Sequence, residues 1–443
     1  MKKIKIILIG AGDRGTTYAE LGAQNCPEFE LVGVADPDPE RRDYIRRMFA
    51  LPADACFACW EEILDRPKFA DAAIIATQDR LHFAPAMRAI ELGYQLLLEK
   101  PVAPTPAECL QVADAARRRG VRVVVCHVLR FTPFFRLLKR LVEDGRVGRI
   151  INIVHVECVG NVHQSHSYVR GNWHRSEDST PMILAKSCHD LDIVQWLLGE
   201  RCTRLQSFGG LSYFRRENMP AGAPEFCAQG CPVEKDCPYS ALKIYRDRAF
   251  PAFVKTATKK HHPTDSDIER AITETDYGRC VFRCDNDVVD HQVVDLEYED
   301  GATVSFTVSA FNRGGRKIRI MGTKGEISAQ MSDDFVTLFD FATRQETKIS
   351  ISEAVRDESI RGGHGGGDRG IIRSFCSLLA GTYDGNSITD IATSVENHLV
   401  AFAAEASRLN GSVVDLRTYE ERVYKILCGC YEIYPQEELL TVI

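Results

Sequence analysis

The tripeptide Glu99-Lys100-Pro101 is one of the stretches whose residue types could do chemistry. It follows the apolar run Tyr94-Gln95-Leu96-Leu97-Leu98, which predicts a buried strand, so the tripeptide should lie at that strand's carboxyl end. A lysine there can donate a hydrogen bond to a hydroxyl or carbonyl oxygen, and nearby carboxylates can tune it. By itself the pattern also fits a solvated ion pair. Lys100 is therefore a candidate catalytic residue whose role depends on what lies at the same edge of the sheet.

Lys186 and His189 form a second candidate acid–base pair. The stretch 182–198 predicts a helix, in which Lys186, His189 and Ile193 share one side through their three- and four-residue spacing. One polar group could polarise an alkoxide while the other takes a proton. In the structural alternative, His189 is a helix histidine that bonds Asp192. We favour the catalytic interpretation because Lys186 would otherwise be difficult to place on a buried side.

Two polar loops supply candidate substrate contacts. A histidine-rich loop contains Arg170 and Trp173, a combination that suits a polyol or sugar because it offers planar stacking and directed hydrogen bonds. An oligomer contact or a mobile surface is the equal alternative for this loop. His364 lies in a string of glycines, where a histidine could transfer protons at the edge of a cleft. The alternative there is a flexible loop before a helix.

Three cysteines with short spacing, Cys227-x3-Cys231-x5-Cys237, occur in a segment rich in proline and glycine. Thiols close together in a loop without a core suit a structural metal, most often zinc, and Cys280 or Cys284 could be the fourth ligand. The spacing is not that of a standard zinc finger, so free thiols and an iron–sulfur cluster remain alternatives. Either metal would stabilise an insertion with a small core rather than act in catalysis.

The element that must position the catalytic candidates is the N-terminal strand Ile4–Ile9 with the glycine turn that follows it. In a G-x-G-x-x-G turn the first glycine permits the bend, the second lets backbone N–H groups approach a pyrophosphate, and the third lets the helix pack closely. An apolar strand precedes the turn and a helix follows it, as a dinucleotide site requires. The candidate cofactor contacts are Gly10, Gly12, Asp13, Arg14, Gly15 and Asp36.

The acidic residue after the second predicted strand, Asp36, predicts NAD as the cofactor. A carboxylate at this point holds a ribose 2′-hydroxyl, which favours NAD over NADP. Arg41 and Arg42 follow closely, so NADP use stays open. The next strand ends at the polar residue Thr77, which should face the same crevice. An α/β domain with an unused glycine turn is the alternative, and it is disfavoured because strand, turn, helix and acidic residue occur in the expected order.

The composition is that of a water-soluble globular protein. The 443 residues are 44% hydrophobic and 26% charged, and the formal net charge of −7 disfavours a nucleic-acid surface. No apolar run approaches the ~20 residues that a membrane helix needs. Because strand-forming residues begin at Ile4, we expect no signal peptide and a cytoplasmic location in which disulfides are unlikely to form.

With these motifs in place, the sequence resembles the glucose–fructose oxidoreductase/inositol dehydrogenase (Gfo/Idh/MocA) family over essentially the whole chain. The residues that carry the resemblance are Gly10, Gly12, Gly15, Asp36, Ala76-Thr77, His82, Glu99-Lys100-Pro101, Arg130-Phe131 and the stretch 145–150. The resemblance implies an α/β fold, with an N-terminal Rossmann dinucleotide-binding domain and a C-terminal α/β domain built on a large open, mostly antiparallel sheet. It also places Thr77, His82, Glu99 and Lys100 at the cofactor, with Lys100 in the active site, and implies a homodimer or homotetramer.

One position departs from the family pattern. His189-Asp190 looks like the family's catalytic His-Asp step, but inositol dehydrogenase-like members have an aspartate four residues before that histidine, and this chain has Ala185. Something else must orient His189, and the substrate of those members cannot be carried over.

These expectations combine into a domain plan and a function. The plan is a Rossmann domain at 1–126, a substrate-binding domain at 127–386 with a cysteine-containing insertion at about 215–285, and C-terminal helices at 387–443, the first packing back on the Rossmann domain. The expected function is NAD-dependent hydride transfer at a hydroxyl carbon of a sugar, sugar acid or cyclitol. The runner-up is an NAD-dependent glycoside hydrolase that works by transient oxidation and elimination, because the Gly-Gly-His-Gly-Gly string resembles one motif of such enzymes. A non-catalytic NAD-bound regulator is the least favoured.

Overall fold

A six-stranded parallel sheet forms the N-terminal part of the protein, whose computed structural model describes residues 2–355 and 363–427. The strand order is β3-β2-β1-β4-β5-β6. The strands are β1 (Ile4–Ile9), β2 (Phe29–Ala35), β3 (Cys56–Phe57), β4 (Ala72–Ile75), β5 (Gln95–Leu98) and β6 (Val123–Val125). The helices are α1 (Asp13–Asn25), α2 (Pro39–Met48), α3 (Trp60–Leu64), α4 (Phe83–Glu91) and α5 (Pro106–Arg119).

The strand order has its switch point at β1, which lies between β2 and β4. Strands β1 and β4 are almost wholly buried, as expected for a parallel sheet covered by helices on both faces. Side-chain caps define two of the helix starts: Asp38 accepts hydrogen bonds from first-turn N–H groups of α2, and Thr105 caps α5. In such a sheet the ligand crevice lies beyond the carboxyl ends of the strands at the switch point.

A nine-stranded mixed sheet follows, in the order β14-β13-β12-β11-β7-β10-β9-β8-β15. Only the pair β7 and β10 is parallel among the described strand pairs of this sheet, so the expected large, mostly antiparallel sheet is confirmed. The strands are β7 (Ile150–Cys158), β8 (Cys202–Gly210), β9 (His291–Tyr298), β10 (Thr303–Ser309), β11 (Gly315–Gly322), β12 (Gly325–Gln330), β13 (Phe335–Asp340), β14 (Glu346–Ser350) and β15 (Val414–Asp415).

The remaining helices lie around the two sheets: some pack on the second sheet, one packs on α1 of the first domain, and others pack on one another. They are α6 (Pro133–Glu143), α7 (Asn161–His163), α8 (Met182–Ala185), α9 (Cys188–Leu198), α10 (Pro251–Thr258), α11 (Asp265–Glu274), α12 (Ile351–Ala354), α13 (Gly367–Ala380), α14 (Ile391–Asn410) and α15 (Leu416–Leu427). No helix among the residues that the structure describes is both long enough and apolar enough to span a bilayer.

The long helix α14 joins the two sheets. Its His398 accepts a hydrogen bond from the Val102 N–H at 3.0 Å, and its Ser394 lies 2.8 Å from the ring of His127, just after β6. On the other side of the first sheet, Asp368 of α13 forms an ion pair with Arg14 of α1. The second sheet is thereby held against the carboxyl end of the first, where the crevice lies.

The segment between β8 and β9, residues 211–290, is an insertion with two small cores of its own. One core gathers around Ile244 and Ile272, and the other around Phe214 and Phe282. The insertion also reaches the first domain, because the His261 ring stacks on Tyr44 of α2 with centroids 4.0 Å apart. It therefore touches the helix that follows Asp36.

Candidate functional site

The glycine turn has the shape that steric rules demand. Gly10 has φ +90°, and a Cβ there would lie 2.6 Å from the carbonyl oxygen of Ala76. A Cβ on Gly15 would lie only 1.9 Å from the carbonyl oxygen of Gly10. Helix α1 can therefore pack against the end of β1 only because these positions lack side chains.

The second glycine of the turn leaves open space. Gly12 is the N-cap of α1, and the one atom within 4 Å of a Cβ built there is Arg41 Nη1, at 3.7 Å. Within the described part of the chain, no side chain caps this helix. Its first-turn N–H groups have no intrahelical acceptors and carry the positive end of the helix dipole. This uncapped helix end fits the pyrophosphate of a dinucleotide.

Asp36 stands where the second strand ends and is almost fully buried. Its carboxylate accepts hydrogen bonds from Ala11 N–H at 2.7 Å and Asp38 N–H at 2.8 Å, one on each oxygen. Each oxygen keeps a lone pair that can accept from a ribose hydroxyl. Arg42 donates to the Asp36 carbonyl at 2.5 Å, whereas Arg41 extends towards Gly12. The residues present fit NAD.

Arg14 and Glu99, two predicted cofactor contacts, bind each other. The Arg14 Nε lies 2.9 Å from Glu99 Oε1, the Tyr18 hydroxyl donates to the same oxygen at 2.7 Å, and Asp368 pairs with the other side of the guanidinium. Burial alone would raise the pKa of Glu99, but the charges of Arg14 and Lys100 outweigh it, so this pKa lies below its usual value. The network braces the glycine turn against the strand end that carries Lys100.

His82 serves a similar bracing role. It is 1% exposed, with Nδ1 2.6 Å from the Pro101 carbonyl and Nε2 3.1 Å from the Thr77 carbonyl. Both ring nitrogens face main-chain oxygens, so His82 connects the Thr77 loop to Pro101, and its direct contact with the cofactor stays a prediction. The half-buried Thr77 does line the crevice edge, and its hydroxyl donates to the Leu81 carbonyl.

Lys100 connects the two domains. Its Nζ donates to the carbonyl oxygen of Ala185 at 2.9 Å, and the peptide bond to Pro101 is cis. Ala185 ends α8, and Lys186 and Ser187 form the turn before α9. The predicted single helix is therefore wrong, since Lys186 lies at a break between two helices while His189 lies in the first turn of the second.

Lys186 has an acidic partner. Its Nζ lies 3.1 Å from Glu157 Oε1 of β7, and the other oxygen of Glu157 lies 2.7 Å from Arg316 Nη2 of β11. Arg316 in turn pairs with Asp190 at 2.7 Å, and Asp190 also lies 2.8 Å from His155 Nε2. Burial raises the pKa of Asp190, but Arg316 and His155 outweigh it, so the pKa lies well below its usual value. The placement of Lys186 on a buried side is thus explained by an ion pair.

His189 is 7% exposed and lies edge-on to His127, with ring centroids 5.6 Å apart. Burial lowers the pKa of His127, whose Nε2 lies 2.8 Å from Ser394 Oγ. The alternative partner of His189, Asp192, is instead bound by Arg130 at 2.6 and 2.7 Å. The His127 ring therefore packs against His189, and the Ser394 hydroxyl lies on the far side of His127.

Trp173 and Arg170, the two predicted substrate residues of the histidine-rich loop, lie in different surroundings. Trp173 donates its Nε1–H to Asp79 of the first domain at 3.0 Å, so it lies at the domain junction. Arg170 is 3% exposed and donates to the carbonyls of Arg279 and Tyr239, both at 2.8 Å. The expectation that Arg170 binds substrate does not fit, because its guanidinium is buried inside the insertion. The His364 side chain lies outside the part of the chain that the structure describes.

Four residues of this region escaped the sequence analysis, although each left a signal. His127 lies two residues after the end of β6, as Thr77 and Lys100 lie two residues after β4 and β5, so the rule that singled out those residues applies to it as well. Glu157 and Arg316 occupy buried positions in alternating strands, where a charged residue signals a partner. Asp79 is a buried carboxylate in a loop.

Comparisons with known proteins agree with this architecture. The NAD-binding Rossmann domain of the oxidoreductase family Gfo/Idh/MocA matches residues 4–127, and that family's C-terminal alpha/beta domain matches residues 139–416. The solved structure of an oxidoreductase from Agrobacterium radiobacter in complex with NAD+, L-tartaric acid and magnesium superposes with a TM-score of 0.66, at 16% identity over 94% of this chain and 99% of that one.

Relatives of this chain include several named enzymes. Putative oxidoreductase YteT of Bacillus subtilis is 26% identical over 77% of this chain and 80% of its own length. Inositol 2-dehydrogenase 4 of Saccharopolyspora erythraea is 30% identical over 46% of this chain and 56% of its own length. The 2,7-anhydro-N-acetylneuraminate hydratase of Mediterraneibacter gnavus is 27% identical over 47% and 53%. The match to the last two thus spans only about half of each. Both domains of the family match this chain in order, and together they span most of its 443 residues. The chain therefore belongs to the Gfo/Idh/MocA oxidoreductase family.

Proposed function

We propose that this protein is an NAD-dependent oxidoreductase that transfers a hydride between nicotinamide and the hydroxyl carbon of a sugar, a sugar acid or a cyclitol. The observation that carries the proposal is the hydrogen bond from Lys100 Nζ to the Ala185 carbonyl at 2.9 Å. It joins the end of β5 to the residue before Lys186, close to the start of the helix that contains His189. Groups able to move a proton therefore stand at the sheet edge where the glycine turn opens.

The three polar side chains divide the proton work. His189 takes the hydroxyl proton during oxidation, because an imidazole exchanges protons near neutral pH. Lys100 uses one of its three N–H bonds on Ala185, and the structure describes no other acceptor for it, so it can donate to the substrate oxygen. Lys186, held by Glu157, adds positive charge that stabilises the developing alkoxide. When bound, NAD+ supplies the hydride acceptor.

The cofactor contacts follow from the open crevice. The first-turn N–H groups of α1, beside Gly12, hold the pyrophosphate, and the Asp36 carboxylate holds the adenosine ribose. We infer a preference for NAD because Asp36 would repel a 2′-phosphate, with Arg41 as the residue through which NADP could still bind. Separate titrations with NADH and NADPH, followed by nicotinamide fluorescence, measure this preference directly.

The substrate class is inferred from the crevice and from the relatives. Inositol 2-dehydrogenase 4 is named for a cyclitol, and several N–H donors around one point suit a polyol. Trp173 offers a half-buried indole whose N–H is already bonded to Asp79, so we propose that its ring face packs against the substrate. His364 is proposed as a further substrate contact on the sequence pattern alone.

A redox-neutral reaction is the second candidate. One relative is named as a hydratase, an activity without net oxidation, and the glycine string around His364 resembles a motif of NAD-dependent glycoside hydrolases. In such a reaction a sugar carbon would be oxidised transiently, the proton of the acidified neighbouring C–H bond would be removed as the aglycone leaves, water would add to the resulting double bond, and the hydride would be returned.

A single assay separates the two candidates. Purified protein is mixed with NAD+ and a panel of free sugars, sugar acids, cyclitols and aryl glycosides, and NADH absorbance is recorded together with aglycone release. Stoichiometric NADH that is abolished in Lys100→Met supports the dehydrogenase. Aglycone release that needs NAD+ without NADH accumulation supports the hydrolase. Tight NAD binding with neither product would overturn both in favour of a regulator.

We also propose that the protein is a homodimer or homotetramer. The outer face of the second sheet carries exposed apolar side chains, among them Val154 on β7 and Phe335 on β13, which are 39% and 38% exposed. An exposed apolar sheet face of this kind is typical of a surface that another subunit covers. Light scattering coupled to size-exclusion chromatography gives the subunit number, and a monomer at micromolar concentration would contradict the proposal.

A further inference from the structure

Four cysteines of the insertion line one small cavity. Cys227, Cys231, Cys237 and Cys280 share this cavity, which we call the cysteine cavity, and its volume is about 20 Å³. None of the cysteines that the structure describes forms a disulfide. Cys284, the alternative fourth ligand, does not line the cavity, since its thiol faces the carbonyl of Cys280 at 3.5 Å. The fold therefore selects four thiols from a larger set.

A buried cation also lines the cavity. The Arg170 guanidinium is 3% exposed, and its Nη2 lies 3.7 Å from Cys227 Sγ while Nη1 has no hydrogen-bond partner among the described residues. Its other hydrogen-bond acceptors are two neutral carbonyl oxygens, the neutral Tyr245 hydroxyl lies nearby, and no described carboxylate forms an ion pair with it. Arginine stays protonated in proteins, and a buried charge without a counter-charge is strongly destabilising. This guanidinium therefore requires negative charge from the cavity.

We propose that Cys227, Cys231, Cys237 and Cys280 bind a single Zn²⁺ ion in a structural tetrathiolate site. Four thiols lose their protons on binding, and four thiolates with one divalent ion carry a net charge of about −2. That charge is the counter-ion that Arg170 lacks, and the guanidinium becomes an N–H donor to the ligand sulfur of Cys227.

The size of the cavity favours one ion over a cluster. A volume of about 20 Å³ is little more than one water-sized sphere requires, which favours a single ion over a cube of iron and sulfide. Among the described residues, no three His, Cys, Asp or Glu side chains already stand as a group that could hold a metal. Binding would therefore have to bring the four sulfurs closer together than they stand now.

The site would link distant parts of the insertion. Three ligands come from one short loop, and the fourth, Cys280, follows α11. The ion would therefore join the two small cores of the insertion, one containing Ile272 and the other Phe282. Small cores bury too little apolar surface to be stable alone, and a metal link compensates for this. The ion is remote in role from the proposed hydride transfer, so this inference stands independently of that function.

The test measures metal in the whole protein. The full chain is produced with zinc and iron in the medium, and the metal content per chain is measured by inductively coupled plasma mass spectrometry. Cys237→Ser and Cys280→Ser are compared with Cys284→Ser, the matched control at a neighbouring thiol outside the cavity. Replacement of the ion by Co²⁺ gives a second readout, because thiolate-to-cobalt charge-transfer bands report the number of sulfur ligands. Circular dichroism of each variant records whether it folds.

We expect one zinc per chain in the wild type and in Cys284→Ser, and a loss of most of the zinc in Cys237→Ser and Cys280→Ser. The cobalt spectrum should be that of a tetrahedral tetrathiolate. Metal-free wild-type protein that takes up no Zn²⁺ on titration would overturn the site. Iron with acid-labile sulfide would overturn the single-ion assignment, and zinc loss in Cys284→Ser but not in Cys280→Ser would overturn the ligand set.

Discussion

Lys100 and Lys186 belong to different domains and lie near each other at Ala185, but their ammonium groups are held in different ways. Lys100 sits at the end of a parallel strand and donates to a neutral carbonyl, that of Ala185. Lys186, the next residue in the chain after Ala185, is bound by the carboxylate of Glu157 from β7. The first lysine keeps N–H bonds that a substrate oxygen can accept, whereas the second is committed to an ion pair. Similar side chains are thus given separate tasks by their partners.

The difference reflects how the two halves of the crevice are built. The cofactor half depends on contacts within one βαβ unit, such as Gly15 against Gly10. The substrate half depends on an ion network that joins Lys186, Glu157, Arg316 and Asp190 from three distant segments. We expect local substitutions in the first half to act on cofactor binding and chemistry, and substitutions in the second half to couple activity with stability.

Loss of the Lys100 ammonium should have the largest effect. In Lys100→Met, kcat/KM for hydride transfer should fall by about 10²–10⁴-fold, because a donor to the reacting oxygen is removed. NADH affinity, measured by fluorescence, should change by only a few-fold. Lys139→Met is the matched control, since Lys139 also donates to a main-chain carbonyl, that of Trp196, outside the crevice. Equal losses in both variants would show that Lys100 acts only through structure.

The glycine turn allows a paired test of steric and ligand roles. Gly15→Ala places a Cβ 1.9 Å from the Gly10 carbonyl and should destabilise the protein by about 3 kcal/mol or more. Gly12→Ala meets no atom closer than 3.7 Å and should leave the melting temperature nearly unchanged, while NADH affinity falls at least about tenfold because the Cβ occupies the pyrophosphate space. Gly210→Ala, with open space around it, is the control for both.

These two glycines also show how much the sequence could predict. The turn, its strand and its helix are adjacent in the chain, so spacing alone specified their geometry. Lys186 shows the limit: three- and four-residue spacing placed it on one helix with His189, but the chain breaks at Lys186 and Ser187. The break and the Glu157 pairing depend on β7, which lies outside that window, and no local pattern encodes them.

Arg170 illustrates the same limit from another direction. Its residue type suited a sugar, yet the fold turns it towards Cys227 in the insertion. Which of several equally polar residues faces a crevice is decided by the path of a loop, and that path depends on tertiary contacts. The three closely spaced cysteines were recognisable, whereas the choice of Cys280 over Cys284 needed the structure.

A double-mutant cycle on Lys186 and Glu157 measures the coupling in the substrate half. Each of Lys186→Met and Glu157→Gln should lower the free energy of unfolding by about 1–3 kcal/mol, because a buried partner is lost. Activity should fall by about tenfold in Lys186→Met, mainly in kcat. Denaturant unfolding and kinetics of the single and double variants give the interaction energy. A coupling energy near zero would contradict the proposed ion pair.

Buried histidines make both halves sensitive to acid. Burial lowers the pKa of His166, in the histidine-rich loop against the insertion, and of His398 on α14 from the usual value near 6.5 to about 3. Between these values the unfolded chain binds a proton that the folded chain does not. Stability should therefore fall, as pH drops below about 6.5, by up to about 1.4 kcal/mol per pH unit for each histidine.

A single substitution isolates the contribution of His166, whose ring packs against the insertion. His166→Phe keeps the stack on Phe253, whose centroid lies 4.2 Å away, but cannot titrate. The slope of unfolding free energy against pH between pH 6 and 4 should then decrease by up to about 1.4 kcal/mol per unit. His262→Phe, at the residue after His261, is the control, because it replaces a histidine elsewhere in the chain by the same residue. An unchanged slope in His166→Phe would contradict the burial of a neutral ring at His166.

The smallest expected effect lies where the insertion touches the cofactor half. His261 stacks on Tyr44, and Lys260 forms an ion pair with Glu40, both on α2 directly after the Asp36 turn. Such surface contacts contribute about 1 kcal/mol or less, so His261→Ala should raise the NADH dissociation rate by at most about fivefold. Stopped-flow fluorescence measures that rate, with His262→Ala as the control. A faster NADH dissociation confined to His261→Ala would mean that the insertion restrains the adenosine end of the crevice. Equal dissociation rates in the two variants would mean that the insertion does not affect cofactor release.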